Sequence, residues 1–420
     1  MTNLSDRLLV LRQREFRLLF FGQAASVFGD RMVAVALAFA VLELGGSASA
    51  VGVVLASGAL ALVGSLLIGG VVADRTSRRA VIVSADLVRL TSQGAMAALL
   101  IVGTADVWML AMLAGITGAA TGFFNPASTG LLPTIVAPEH LQQANGLRAT
   151  AMSVGEILGP LVAGVLVATA SAGWALAIDA VTFGISAVLL SRLRLPAGIA
   201  RAAPSFLADL KEGWDAFRSR TWVWTLVAFV AFGNMLWGAW SALGPVVADR
   251  DLGGAAAWGT VLAAMGVGAL AGSLVATQAK PRRPLVVFAL TGAVFSVPLA
   301  LLAVGAPVPV LALGALFSGG AMMLGNSVWE STLQRHIPTE SLSRVSAYDW
   351  FGSLAFYPVG LAVWGPIAAA VGLGASLWVA FALQIAMTLA LLAVPDIRQF
   401  STTPTPAENP EPQLVSTPID

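Results

Sequence analysis

Apolar runs about twenty residues long recur twelve times along the chain, separated by short polar, glycine-bearing or proline-bearing segments. A helix rising 1.5 Å per residue needs about 20 such residues to cross a bilayer's hydrocarbon layer. The pattern predicts membrane spans at 17–42, 50–72, 80–102, 106–131, 148–169, 172–192, 222–246, 255–277, 285–304, 308–332, 347–370 and 373–395. Gly45-Gly46-Ser47, Pro138-Glu139-His140 and Lys280-Pro281-Arg282-Arg283 mark turns between them. The expected fold class is an all-α membrane protein with twelve transmembrane helices.

A weak internal repeat divides these spans. Gly122-Phe123-Phe124-Asn125 closes the fourth span and is followed by Glu139 and Leu141; Gly325-Asn326 closes the tenth and is followed by Glu340 and Leu342. Asn125 and Asn326, Glu139 and Glu340, and Leu141 and Leu342 are each 201 residues apart. Gly155 and Pro160 correspond more loosely to Gly352 and Pro358. Two similar halves are therefore expected: an N-terminal six-helix bundle over 1–192 and a C-terminal one over 222–395, packed as pseudo-symmetric bundles. Residues 193–221 form the linker, with an interfacial helix read from alternating apolar and charged positions between Pro204 and Arg218. Residues 396–420 hold five prolines beyond residue 403 and little apolar content, and are read as a disordered tail.

Composition narrows the class. The 420 residues are 57% hydrophobic and 11% charged, with a net charge of +1; soluble domains carry about 25% charge. Twenty of the 23 Lys and Arg lie before the first span, after the last, or in loops after even-numbered spans. Basic residues stay on the cytoplasmic side, so both termini are expected in the cytoplasm of a multi-pass inner-membrane protein. Arg7, Arg12, Arg14 and Arg17 precede a first span of full membrane length, which reads as an uncleaved one. There is no cysteine, and His140 and His336 alone cannot build a metal cluster. Neither Lys211 nor Lys280 follows a glycine, so no Walker-type pair exists. The charge balance argues against nucleic-acid binding. No cofactor, metal or enzymatic nucleophile–base constellation is expected; the partners are the lipid bilayer, a small amphipathic solute and protons, and the unit a monomer.

Two motifs point to mechanism. Gly70-Val71-Val72-Ala73-Asp74-Arg75-Thr76-Ser77-Arg78-Arg79 closes the second span. It resembles the loop signature of the major facilitator superfamily, with Ser77 where glycine is usual. In this reading Gly70 lets helices approach, and Ser57, Ala61, Ser65 and Gly69 upstream form a small-residue stripe. Asp74, Arg75 and Arg78 belong to a cytoplasmic gate that opens and closes. Gly155-Glu156-Ile157-Leu158-Gly159-Pro160, followed by Gly164, resembles a signature of exporters in that superfamily; a proline bends its helix and frees a carbonyl. Further segments narrow the resemblance to the branch of macrolide-efflux and enterobactin-exporter-like permeases: Ser26 to Arg31, Ala85 to Arg89, Asp179 to Phe183, and Phe206 to Gly213. It covers nearly all of 15–395. It implies a major facilitator fold exporting amphipathic drugs, antibiotics or siderophores by proton antiport, powered by the proton gradient.

Charges inside spans are costly and line a cavity or pair. Asp30 and Glu156 are the candidates for proton coupling, with Arg31, Arg89 and Asp86 as charge partners. Asp86 and Arg89, three apart, can pair on one helix. Arg31 points about 100° away from Asp30 and needs another partner. Asp179 is read as structural. Gln23 and Ser26 share a face with Asp30 expected to line the central cavity, together with Asn125, Asn234, Trp237 and Asn326. Glu330, near Arg335 or Arg344, and Asp349 are assigned to the cytoplasmic gate. Two alternatives stay open: an uptake permease of the same fold, and a membrane scaffold or receptor without transport.

Overall fold

The computed structural model describes residues 9–194, 214–215, 217–337 and 339–401. Its twelve long helices are α1 (Arg14–Glu43), α2 (Ala48–Arg75), α3 (Arg78–Val102), α4 (Val107–Thr129), α5 (Leu141–Thr169), α6 (Ala172–Ser191), α7 (Thr221–Val247), α8 (Ala255–Ala276), α9 (Pro284–Ala303), α10 (Val308–His336), α11 (Thr339–Ala355 and Tyr357–Val371) and α12 (Leu373–Ala393). All twelve are long and apolar enough to cross a membrane. The apolar runs located them closely, with two informative differences. α5 begins seven residues before the predicted span, at Leu141, so Arg148 sits two turns inside the helix rather than at its first residue. α11 is interrupted at Phe356. Pro358 has no N–H to give the carbonyl of Leu354, so the ladder breaks there. Most of the predicted interfacial helix, and the tail from 402, lie outside the described residues; Trp214 and Phe217 are helical and their rings stack, 5.8 Å apart.

α1–α6 and α7–α12 form two bundles, and the buried apolar side chains show how they meet. One continuous core joins both at the end away from residues 14 and 393. It takes Met32 to Val41 from α1, Val51 and Val54 from α2, Leu236 to Val247 from α7, Trp258 from α8 and Trp364 from α11. At the opposite end, which carries the basic loops, the cores separate. One is built on Phe16, Leu19, Ile82, Leu131 and Leu190. The other is built on Leu226, Phe288, Trp329, Leu333 and Leu391. The bundles are thus bound at one end and separately packed at the other.

Two helix pairs carry the joint. In α2 against α11, Gly52 faces the carbonyl of Leu361 and Gly365 faces the backbone of Ser49. In α5 against α8, Gly164 faces the backbone of Ala255 and Ala256, and Gly259 faces the carbonyl of Pro160. Lipid tails are as apolar as leucine, so helices associate in a membrane by close van der Waals packing between small residues.

Within the first bundle the small-residue stripe of α2 packs on α4, but one assignment needs correction. A side chain at Gly70 would meet nothing within 4 Å, so Gly70 is not the close-approach residue. The adjacent Gly69 lies on the backbone of Gly122 and Phe123, Gly118 lies on Gly58, and Ser65 Oγ donates to the carbonyl of Ala119 at 3.0 Å. Gly69→Leu is expected to overpack this joint and destabilise the protein by about 1–3 kcal/mol, whereas Gly70→Ala should leave the melting temperature in detergent unchanged. Equal melting of the two variants would remove the distinction.

Candidate functional site

Charge at membrane depth is concentrated in the first bundle. The Arg89 guanidinium on α3 lies between the rings of Phe124 (4.1 Å to the centroid) and Phe183 (4.3 Å). Its Nη2 donates to Asp86 Oδ1 one turn back, and its Nη1 stands 3.6 Å from Asp30 Oδ2 on α1. Asp179 on α6 accepts from Gln93 Nε2 at 2.7 Å. Gly29, next to Asp30, packs directly on Asp179 and Thr182, which brings α1 against α6. Three carboxyl groups from three helices therefore surround one guanidinium, which two aromatic faces stabilise by cation–π attraction. Arg89, Asp86 and Asp179 are fully buried, while the Asp30 side chain keeps 39% of its surface accessible. Within the cluster, Asp30 is the least buried acid.

Asp86 and Arg89 were legible as a pair, and Asp30 as their neighbour in depth. Asp179 and Gln93 were not placed with them. A signal existed: residues 86, 89 and 93 are polar at helical spacing on an otherwise apolar run. No comparable pattern pointed to Phe124 or Phe183.

Arg31 finds the separate partner that its direction requires. Its Nη2 lies 3.1 Å from Glu156 Oε1 on α5, and both side chains are partly exposed. Gly155 and Gly159 fit against Val27, Phe28 and Arg31 of α1. Pro160, lacking an N–H, leaves the carbonyl of Glu156 without its helical donor. That carbonyl faces Gly266 of α8, where an added Cβ would stand 2.9 Å away. The glycine–proline motif is thus a bearing surface: one side meets α1 of its own bundle, the other meets α8 of the opposite bundle.

The cavity-lining predictions divide. Gln23 and Ser26 are buried inside the first bundle, and Gln23 Nε2 donates to Ser128 Oγ of α4. Asn125 is exposed on α4. A cavity of about 480 Å³ lies in the second bundle, between α7, α9, α10, α11 and α12. Asn234 and Asn326 line this cavity rather than a path between the bundles; Asn234 Nδ2 donates to the carbonyl of Ser353 at 2.8 Å. Trp237 stands behind the wall, stacked 4.0 Å from lining Phe295 and 5.2 Å from Trp240.

The gate assignments also change. Asp349 does not join the loop after α2: it is buried in the cavity wall, and its Oδ2 accepts from Trp329 Nε1 at 3.0 Å. Glu330 lines the same cavity from α10. The side chains of Asp74 and Arg344 lie outside the described residues. Arg75 is exposed, while Arg78 donates to the carbonyl of Gly130 at the end of α4 and Arg79 to that of Ser191 at the end of α6. Cations at helix C-termini satisfy free carbonyls and the negative end of the dipole. The basic loop therefore fastens α2–α3 to α4 and α6.

The family model described as Major Facilitator Superfamily matches residues 19–356. Multidrug efflux pump Tap of Mycolicibacterium fortuitum is 28% identical over 402 residues, covering 90% of this chain and 93% of Tap. Macrolide efflux protein A of Streptococcus pyogenes is 25% identical over 218 residues; that match takes in 51% of this chain and about half, 53%, of the relative. Among solved structures, the peptide transporter POT in complex with sulfate superposes with a TM-score of 0.75 at 14% identity, over 93% of this chain and 96% of that one. This last likeness concerns the fold alone.

Removing the cation of the cluster should cost far more than neutralising its least buried acid. Arg89→Met leaves Asp86 and Asp179 buried without it and is expected to destabilise the protein by about 3–5 kcal/mol. Asp30→Asn, at an accessible pair, should cost about 1 kcal/mol or less. Thermal unfolding in detergent reads both, and equal losses would mean that Asp30 is as structural as Asp86.

Proposed function

Because the chain belongs to the major facilitator superfamily, we propose that it is a secondary active exporter of amphipathic small molecules, driven by proton antiport. The observation that carries this reading is the ionic cluster at membrane depth, in which Asp30, Asp86 and Asp179 gather around Arg89 and Asp30 alone keeps a sizeable part of its side-chain surface accessible. Such groups inside spans mark ion and proton pathways. When Asp30 is ionised it shares Arg89 with Asp86; a proton arriving on Asp30 breaks that share and leaves Arg89 to Asp86. The contact between α1 and α3 thereby changes with each proton taken up or released.

Alternating access would use the joints between the bundles. The shared core and the α2–α11 and α5–α8 contacts lie toward one end, and the separate cores toward the basic end. With the basic loops in the cytoplasm, this conformation presents the second-bundle cavity inward, ready to load a solute. Rocking about the two glycine-lined joints would close the basic end and part the other. Outward direction is supported by the names of two relatives, an efflux pump and an efflux protein, and by Gly159-Pro160 at the joint.

The test is solute movement in everted vesicles under an imposed proton gradient. A panel of amphipathic dyes and antibiotics should include at least one taken up with the gradient and released on its collapse. Asp30→Asn should reduce gradient-driven movement at least about tenfold, and Glu156→Gln should reduce it less. Transport equal with and without the gradient would sink the coupling, and accumulation in the opposite direction would favour an uptake permease.

A further inference from the structure

The second-bundle cavity carries information about the solute itself. Its volume, about 480 Å³, lies in the usual range for small-molecule sites, about 300–1,000 Å³. Phe229, Phe288, Phe295, Trp329 and Trp350 supply its aromatic walls. Two carboxyl groups enter it, Asp349 from α11 and Glu330 from α10, close enough for their charges to act on each other. Among the described residues that line it there is no lysine, arginine or histidine. The contrast with the first bundle is direct: there, Arg89 and Arg31 stand beside the acids.

A second feature points the same way. Gln384 of α12 is buried, lines the cavity, and makes no hydrogen bond to any described residue. Its amide lies between Gly233 of α7 and Gly292 of α9, positions where a Cβ would stand 3.2 and 3.4 Å from it. Those two glycines leave the amide its place at the cavity wall. With no partner among the described residues, the amide is left to hydrogen-bond whatever occupies the cavity. This amide's oxygen is an acceptor facing the same space as two acids.

We propose that this cavity binds a lipophilic organic cation, its positive centre held by Asp349 and Glu330 and its rings laid on the aromatic walls. Acids supply the Coulomb attraction, which strengthens away from bulk water. Aromatic faces add cation–π attraction and an apolar surface for the remainder of the molecule. A protonated amine would also donate to the Gln384 oxygen. The Trp329 indole fixes Asp349 Oδ2, so the carboxylate is oriented before the ligand arrives. The inference rests on the export reading for its physiological meaning, but binding can be measured without transport.

The experiment compares two probes of the same shape and opposite charge, tetraphenylphosphonium and tetraphenylborate, on the purified full-length protein in detergent. Binding is followed by quenching of tryptophan fluorescence, to which Trp329 and Trp350 contribute. The cation should bind saturably and at least about tenfold more tightly than the anion, and Asp349→Asn with Glu330→Gln should remove that preference. Asn at 349 keeps an oxygen acceptor for the Trp329 indole, and the comparison of probes on the unaltered protein requires no variant. An anion bound as tightly as the cation, or a preference that survives both substitutions, overturns the inference. Cation binding without gradient-driven movement sustains it and sinks the export reading; transport confined to neutral or anionic solutes does the reverse.

Discussion

A charged group in hydrocarbon has no water to stabilise it, and that cost organises the first bundle. Arg89 is tolerated because Asp86 lies one turn away on α3, Asp30 approaches from α1, and Phe124 and Phe183 cover its two faces. Each partner comes from a different helix, so the cation acts as a tie among α1, α3, α4 and α6. Gly29 lets α1 approach Asp179 on α6, and Gln93 occupies an oxygen of that carboxylate. Taken apart, these are four helices with unsatisfied polar groups. Together they form a packed bundle in which Asp30 is the least buried acid.

The second bundle meets the same cost differently. It has no counterpart of Arg89 among the residues that line its cavity. Its buried acid, Asp349, is held by a neutral indole and faces open space. The acid–cation cluster and the cavity consequently occupy different halves. On the proposed reading, proton and solute would act on each other through movement of the bundles, with α5 as the nearest connection. Glu156 pairs with Arg31 through its side chain and meets α8 through its carbonyl, so one residue touches both the charge system and the joint between halves.

The joints are suited to such movement. Carbon–carbon contact between small residues has no preferred direction, unlike a hydrogen-bonded or ionic interface, and helices packed through glycine can pivot without breaking directional bonds. At the basic end Arg78 and Arg79 tie the α2–α3 loop to helix ends within the first bundle. That bundle is therefore braced internally where it is not joined to its neighbour.

The amino-acid sequence alone settled the number and position of the spans, because membrane thickness imposes a length on every apolar run whatever its neighbours are. It also settled the Asp86–Arg89 pairing, a local matter of helical spacing, and Arg31's need for a partner other than Asp30's. It did not show that Gly69 rather than Gly70 makes the close approach: the two are adjacent, and which one faces α4 depends on the rotation of α2 in the bundle. Gln23 and Ser26 shared a face with Asp30, yet both are buried, Gln23 bonded to Ser128 of α4, and a helical wheel has no knowledge of what lies opposite. Asp349, near the start of the eleventh predicted span, was assigned to the cytoplasmic gate, but the course of α11 carries it into the cavity wall. Periodicity and hydropathy act along one helix and were readable from the chain; partners, exposure and the cavity depend on side chains brought together from helices hundreds of residues apart, and only the packed structure decided them.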